Sequence, residues 1–426
     1  MSEKIPGFDT LAIHAGAKPD PATGARATPI YQTTAYVFRD TEHAGNLFGL
    51  QEAGNIYTRI MNPTQGVLEE RIAGLEGGTA AVAVASGHAA QLLTFHTILR
   101  PGDNFIASRR LYGGSINQFN NAFKSFDWHV RWAEPRNPEE FESQIDERTR
   151  AIYVESLANP NGEFVDLEAI SAIARKHDLP FIVDNTLATP YLLRPIEYGA
   201  DIVLHSLTKF IGGHGNSMGG IIIDAGTFNW SKSDNYPILS EPRPDYGGVI
   251  LHKAFGNAAF AYAARVVGLR DFGPAISPFN AFLILNGVET LGLRVQRHSD
   301  NALGVAQHLK AHEKVSWVSY PGLPDDPNHA LQQRYSPKGA GAVFTFGVKG
   351  GFEAGVKFVE KLKLFSHLAN IGDTRSLVIH PASTTHRQLT DEQKVAAGAG
   401  PDVIRLSVGI EDVADLKADI DQALTD

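Results

Sequence analysis

The chain has 426 residues, of which 43% are hydrophobic and 20% charged, and carries a formal net charge of −9. That length allows two or three domains with cores of their own, and the acidic balance argues against nucleic acid or an anionic membrane as a main partner. There is no cysteine, which excludes disulfides, thiolate metal sites and cysteine nucleophiles.

Residues 1–62 are rich in Gly, Pro, Thr and Asn and show little periodicity, so they are expected to form an extended N-terminal arm. Its opening, Met1 to Thr10, has no apolar run of signal-peptide length. A cytoplasmic location is expected on that ground. Thr79 to Leu99 is the most apolar long stretch. Ser86, Gly87, His88 and Gln91 interrupt it, so a strand over Ala80 to Ala85 running into a helix explains it better than a membrane span. Over residues 63–272 strand-like runs alternate with helical ones. Strands are expected at Phe105–Ser108, His129–Ala133, Ala151–Glu155, Phe181–Asp184, Ile202–His205 and Gly220–Ile223. Between the fourth and fifth of these, counting from Ala80, Asp166 can cap a helix whose Leu167, Ile170, Ile173 and Ala174 share one face.

Repeated βα units predict an α/β fold with a mostly parallel sheet. Residues 225–256 break the rhythm and read as a surface insertion, with Ser231 to Pro237 and Glu241 to Gly248 rich in turn formers. The remainder, 273–426, reads as a smaller α+β domain. It has a long helical region from Pro278 to Leu309 and strands at Val343–Val348 and Val403–Val408.

Two strand ends carry the functional signal. Ile202 to Leu204 runs into His205-Ser-Leu-Thr-Lys209 and then into Gly212, Gly213 and Gly215. Pro180 to Val183 ends in Asp184. A lysine and a carboxylate on one edge of an α/β sheet suit pyridoxal phosphate (PLP), whose aldehyde needs a lysine Schiff base and whose ring nitrogen needs a carboxylate. A desolvated lysine near other cations has a lowered pKa and serves as nucleophile and base. In isolation each residue has a plainer reading. Lys209 could be a surface residue after a strand, and Asp184 a helix cap. Ser86-Gly87-His88 could be a tight turn or a helix N-terminus that binds phosphate. Tyr112 could stack on a cofactor ring or simply pack. Ser206-Leu-Thr-Lys209 also matches the S-x-x-K pattern of penicillin-binding serine hydrolases. No K-T-G occurs in the chain, and Ser206 sits at a strand end where that chemistry needs a helix start. His380 and His386, six apart, are poorly spaced for a metal, and no metal site is expected.

Taken together, these residues resemble the Cys/Met-metabolism family of PLP enzymes. The motifs run nearly end to end: Asn55-Ile-Tyr-Thr-Arg-Ile-Met-Asn-Pro-Thr64, Ser86-Gly-His88, Val183-Asp-Asn-Thr186, Ser206-Leu-Thr-Lys-Phe-Ile-Gly-Gly-His214, His380 to His386 and Arg405 to Glu411. The resemblance implies the aspartate aminotransferase-like fold (fold type I). It implies that Lys209 forms the Schiff base, Asp184 pairs with the ring nitrogen and Tyr112 stacks on the ring. Ser86, Gly87, His88, Ser206 and Thr208 would hold the phosphate, and Asn159 would lie near the ring hydroxyl. Arg405 would clamp the substrate carboxylate, with Asn370 beside the substrate. Tyr57 and Arg59 would reach the phosphate of a neighbouring subunit, Tyr57 also serving substrate binding and catalysis. The assembly implied is a homotetramer, a dimer of dimers with shared active sites.

Within the family, Asn370 stands where lyases usually carry serine. The 225–256 insertion and the opening Phe8 to Gly16 also resemble the O-acetylhomoserine sulfhydrylase branch. Gly114, where several γ-lyases carry cysteine, weakens a methionine γ-lyase assignment. The implied reaction is γ-replacement: O-acetyl-L-homoserine plus sulfide or a small thiol gives homocysteine or methionine plus acetate. Cystathionine γ-synthase and the γ-lyases of the same family are the alternatives.

Overall fold

Val- and Ile-rich runs bounded by turn formers become strands. In chain order they are β1 (Ala80–Val84), β2 (Asn104–Ser108), β3 (His129–Ala133), β4 (Thr149–Glu155), β5 (Leu157–Ala158), β6 (Glu163–Phe164), β7 (Phe181–Asp184), β8 (Ile202–Ser206) and β9 (Gly220–Asp224). Beyond these lie β10 (Val315–Ser319), β11 (Val343–Val348), β12 (Ser366–His367), β13 (Leu377–Ile379) and β14 (Val403–Ser407). The computed structural model describes residues 6–385, 387, 390, 392, 394 and 398–425, so Met1–Ile5 of the arm and His386 of the histidine pair lie outside the described residues.

Seven strands form one sheet in the order β1-β9-β8-β7-β4-β2-β3. β9 runs antiparallel to both its neighbours, and the pairs from β8 through β3 are parallel. Successive side chains alternate between two cores, as the pleat requires. Ile152, Val154 and Val183 enter one, and Ala151, Tyr153 and Ile182 the other. A second, five-stranded sheet has the order β10-β11-β14-β13-β12, antiparallel except for β12 with β13. β5 and β6 form a separate two-stranded ribbon.

Helix starts are set by side-chain caps. The first 62 residues carry α1 (Phe8–His14) and α2 (Thr41–Phe48) within irregular chain. Asn62 accepts from the Thr64 amide at 2.9 Å and opens α3 (Pro63–Glu76). Ser86 accepts from the Ala89 amide at 3.2 Å and opens α4 (Gly87–Ile98). Asp166 accepts from the Ala169 amide at 3.2 Å and opens α5 (Leu167–Lys176). Among the described residues no helix is long and apolar enough to cross a membrane.

Two expectations change. The helical region from Pro278 is not continuous: α6 (Pro278–Glu289) and α7 (Leu291–Ala311) meet at Thr290. The cause is a side chain inserted into the helix ladder. The Gly287 carbonyl accepts from the Arg294 guanidinium at 2.6 Å instead of continuing the backbone pattern. The 225–256 segment is more than a surface loop, because Trp230, Tyr236, Leu239 and Leu251 are buried. Trp230 stacks on Phe260 with ring centroids 5.2 Å apart, and the Tyr236 hydroxyl donates to the Arg150 carbonyl at 3.1 Å.

One close approach positions the site. Gly220 pairs with Val84 on one side and Ser206 on the other. A Cβ at Gly220 would sit 2.0 Å from the Ser86 carbonyl oxygen. Only glycine lets β9 pass beneath the turn from β1 into α4. Gly220→Ala should therefore lower stability by about 1–3 kcal/mol through overpacking against backbone. Thermal unfolding measures this, and an unchanged melting temperature would contradict the close packing of that turn.

Candidate active site

The carboxyl ends of β4, β7 and β8 and the exit of β1 share one edge of the large sheet, where open α/β sheets bind ligands. Glu155 ends β4, Asp184 ends β7 and Ser206 ends β8. Glu155 pairs in register with Asp184, and Ser206 with Gly220. A short chain of bonds ties this edge together. The Asp184 carboxylate accepts from the Thr186 amide at 3.0 Å. The Thr186 hydroxyl accepts from the Ser206 amide at 2.8 Å, and the Ser206 carbonyl accepts from the Lys209 amide at 3.3 Å.

Lys209 turns its amine to Asn370, whose Oδ1 accepts from Nζ at 2.5 Å. Burial lowers the Lys209 pKa to about 8, and the positive charge of Arg405 adds to the effect. Arg405 lies on β14 and donates to Asn159 Oδ1 at 3.1 Å and to the Asn370 carbonyl at 3.3 Å. Burial lowers its pKa to about 10. Among the described residues no carboxylate pairs with it. Amine and guanidinium thus meet through Asn370, 161 residues from Lys209 in the chain.

Asp184 faces the α4 side of the sheet. Its Oδ2 has the Tyr153 hydroxyl at a long 3.4 Å, and that hydroxyl accepts from Gln91 of α4 at 2.8 Å. Burial pushes the Asp184 pKa up against the Thr186 bonds. Glu155 was not among the residues singled out in the sequence. It is 4% exposed and accepts from the backbone amides of Tyr112 at 2.7 Å and Asn159 at 3.1 Å. Burial raises its pKa, and the neighbouring Asp184 charge raises it further. The signal that could have found it is its place: an acidic residue closing a buried strand, as Asp184 does.

The remaining candidates fall into two groups. Gly87 opens α4 against Ser206, where a Cβ on Gly87 would lie 3.0 Å from Ser206 Cβ. His88 stands edge-on to Tyr112, ring centroids 6.0 Å apart, and the Tyr112 side chain is half exposed. The Thr208 hydroxyl donates to the Gly219 carbonyl at 3.2 Å and accepts from its amide at 3.1 Å. Tyr57 and Arg59 form a separate exposed pair, the guanidinium 5.4 Å from the Tyr57 ring centre. Among the described residues no hydrogen bond or ion pair joins either to Lys209, Asp184 or Ser206. The serine-hydrolase alternative has no support in this geometry, because the Lys209 amine goes to Asn370 and Ser206 closes a strand. His380 is buried, its ring nitrogens 2.9 Å from the Ser383 hydroxyl and from the Pro401 carbonyl. Among the described residues no group of three or more His, Asp or Glu side chains could hold a metal.

Comparison with known proteins identifies the family. Residues 9–425 match the model of the Cys/Met metabolism PLP-dependent enzymes. The chain belongs to that family. An O-acetyl-L-homoserine sulfhydrylase of Leptospira meyeri is 51% identical over 98% of this chain and 96% of its own. O-acetyl-L-homoserine sulfhydrylase 1 of Thermus thermophilus is 53% identical over 98% of this chain and 99% of its own. A Campylobacter jejuni crystal structure, described as an O-acetylhomoserine (thiol)-lyase with a pyridoxyl-lysine monophosphate adduct, superposes with a TM-score of 0.95. It is 39% identical and covers 98% of this chain and 100% of its own. The large, mostly parallel sheet with a smaller C-terminal sheet is therefore the fold of a PLP-dependent enzyme.

The residues at the sheet edge fit that cofactor. Ser206 Oγ has no partner among the described residues, and Gly87 leaves open the space beside it that a Cβ would fill. Asp184 is a partly buried carboxylate lacking a strong donor on Oδ2. Lys209 is an amine whose charged form the fold disfavours.

That last feature has a measurable consequence. In the unfolded chain Lys209 keeps its proton up to the ordinary lysine value of 10.5, but in the cofactor-free fold only to about 8. Between these values the unfolded state binds more protons, so this residue's penalty on stability is full below 8 and disappears as pH rises toward 10.5. Lys209→Met should raise the melting temperature of cofactor-free protein near neutral pH, by at most about 3 kcal/mol of stability. The gain should vanish in alkaline solution. A gain of equal size at both pH values would mean that packing, not charge, is responsible.

Proposed function

We propose that the chain joins sulfide, or a small thiol, to the four-carbon unit of O-acetyl-L-homoserine, releasing acetate and L-homocysteine (or methionine) in methionine biosynthesis. The observation that carries the assignment is the Lys209–Asn370–Arg405 constellation. It sets a proton-accepting amine beside a partly buried guanidinium that lacks a carboxylate. An amino acid whose carboxylate binds that guanidinium brings its α-carbon toward the amine. The names of relatives about half identical to this chain support the choice of substrate.

Bound PLP supplies an electron sink for chemistry at the substrate α-carbon. The chain does the rest. Arg405 grips the substrate carboxylate with its planar fork. Lys209, partly neutral near its lowered pKa, takes the proton from Cα and helps move one at Cβ. Asn370 orients the Lys209 amine. Asp184 places a carboxylate at the ring nitrogen, with Tyr153 and Thr186 fixing its angle. Ser86, Gly87, His88, Ser206 and Thr208 hold the phosphate at the α4 N-terminus. Tyr112 covers the ring, and Asn159 sits beside its hydroxyl.

Residues 63–272 serve as the cofactor domain and 273–426 as the small domain. Residues 1–62 act as an arm that brings Tyr57 and Arg59 to the phosphate of a second subunit. The working form is a cytoplasmic homotetramer built from dimers with shared sites.

Two experiments test this. Steady-state kinetics with O-acetylhomoserine, O-succinylhomoserine, O-acetylserine and methionine, with and without sulfide, should give the highest kcat/KM for O-acetylhomoserine with sulfide. Faster release of methanethiol from methionine would move the chain to the γ-lyases. The second mixes Lys209→Ala with Arg59→Ala subunits by co-expression. Each parent should be nearly inactive. Random pairing makes about half the dimers hybrid, each with one intact site, so roughly a quarter of wild-type activity should return in a two-fold assembly. No recovery in proven hybrids would place Arg59 outside the partner's site.

A further inference from the structure

Glu155 has no part in the reaction proposed above, yet it occupies a costly position. It is buried, it is the register partner of a second, partly buried carboxylate, Asp184, and among the described residues it has no cationic partner. A buried carboxylate without a counter-ion is disfavoured unless its oxygens are well bonded. A neighbouring carboxylate adds repulsion. A backbone amide that only needed an acceptor would be served at less cost by a neutral side chain or by water.

The bonds show what the carboxylate reaches. One oxygen accepts from the amide of Tyr112, in the loop after β2, and the other from the amide of Asn159, just after β5. Tyr112 carries the half-exposed ring next to His88. Asn159 carries the side-chain oxygen that accepts from Arg405. The two segments lie on different strand exits, and of the two amides' side chains neither is held by Glu155 itself. Both oxygens are used, so the bridge is rigid in a way that a single bond is not.

We propose that Glu155 is a positioning residue: through the backbone of Tyr112 and of Asn159 it sets the spacing between the ring-covering tyrosine and the carboxylate-binding guanidinium. This rests on the roles given above to Tyr112, Asn159 and Arg405. Glu155 touches neither cofactor nor substrate; it fixes two residues that do. Its two oxygens serve as the two acceptors, and the bonds from the amides oppose the rise in pKa that burial brings. Glutamine has the same shape but offers one acceptor and one donor, so in Glu155→Gln one of the two amides would meet an N–H.

The test compares wild-type and Glu155→Gln holoenzyme. The variant should fold and bind PLP, with a weaker visible circular dichroism band. It should lose the cofactor on dilution about tenfold faster, the size expected for about one hydrogen bond. Its KM for O-acetylhomoserine should rise by more than its kcat falls. A role in stability alone would lower the melting temperature and leave band, release rate and KM as in wild type, and that result overturns the proposal. If the variant does not fold, amide hydrogen exchange in wild-type holoenzyme decides. The Tyr112 amide should be protected although its side chain is half exposed, and exchange at the rate of an open loop overturns the clamp. Arg405→Lys run in parallel separates the two levels. An unchanged KM there sinks the underlying site assignment, and the clamp with it. A raised KM there with wild-type behaviour in Glu155→Gln sinks the clamp alone.

Discussion

Four ionisable side chains lie around one edge of the large sheet, Glu155 buried and Lys209, Arg405 and Asp184 partly buried. Among the described residues none of them forms an ion pair. Neutral groups stand between them: Asn370 between the two cations Lys209 and Arg405, and Asn159 between Arg405 and Glu155. Burying unpaired charge is unfavourable, and the fold sustains it because two apolar cores flank the sheet and hold the strands that carry these residues. The unsatisfied groups match the chemistry of a phosphorylated pyridine and an amino acid. The guanidinium lacks a carboxylate, one partly buried carboxylate lacks a cationic donor, and the amine is easily neutralised. Pre-organisation of this kind places the cost in the fold, so that binding supplies partners already aimed at their targets.

The sheet topology brings those groups to one place. Six strands run in one direction and deliver their carboxyl ends to the same edge. β9 runs in the opposite direction between β1 and β8, so its first residue, Gly220, lies at that edge and separates the Ser86 turn from Ser206 by one side-chain-free position. A larger residue there would spread the α4 N-terminus away from the strand that leads to Lys209. The α4 helix has a second task. Gln91, one turn in, bonds Tyr153, which faces Asp184, so the turn at Ser86 and the Asp184 end of the site are set by one helix.

Much of this was legible in the sequence, for a physical reason. Strands buried on both faces read as short unbroken apolar runs, and their ends are marked by the first polar residue. That rule located β7 and β11 at their observed bounds and drew attention to Asp184 and Lys209. The same rule applied to Glu155, but its two bonds go to amides 43 and 4 residues away, which no local pattern marks. The break at Thr290 was hidden because its cause is the Arg294 guanidinium taking a carbonyl from the ladder, which no local propensity encodes. In the 225–256 segment the turn formers dominate the composition, and Trp230 and Tyr236 reveal their core role only once Phe260 and Arg150 are beside them. The meeting of Lys209 with Asn370 and of Arg405 with Asn159 joins residues 161 and 246 apart. Family resemblance, not periodicity, singled out Asn159, Asn370 and Arg405.

Those two contacts also explain why the small sheet matters to the chemistry. Arg405 is held on β14 by pairing with Thr345 of β11 and Ile379 of β13, so its backbone belongs to the small sheet. Its guanidinium, however, rests on Asn159, which follows strands at the edge of the large sheet. Lys209 belongs to the large sheet, yet its amine rests on Asn370, which lies between β12 and β13. Each reactive cation is anchored by one sheet and aimed by the other. A shift of one sheet against the other would therefore disturb the amine and the guanidinium together, and a substrate held at both ends by them would resist that shift. The spacing of the Lys209 amine and the Arg405 guanidinium is thus a property of how the two sheets dock, so residues far from either group, such as those that fix β14 between β11 and β13, help to set it.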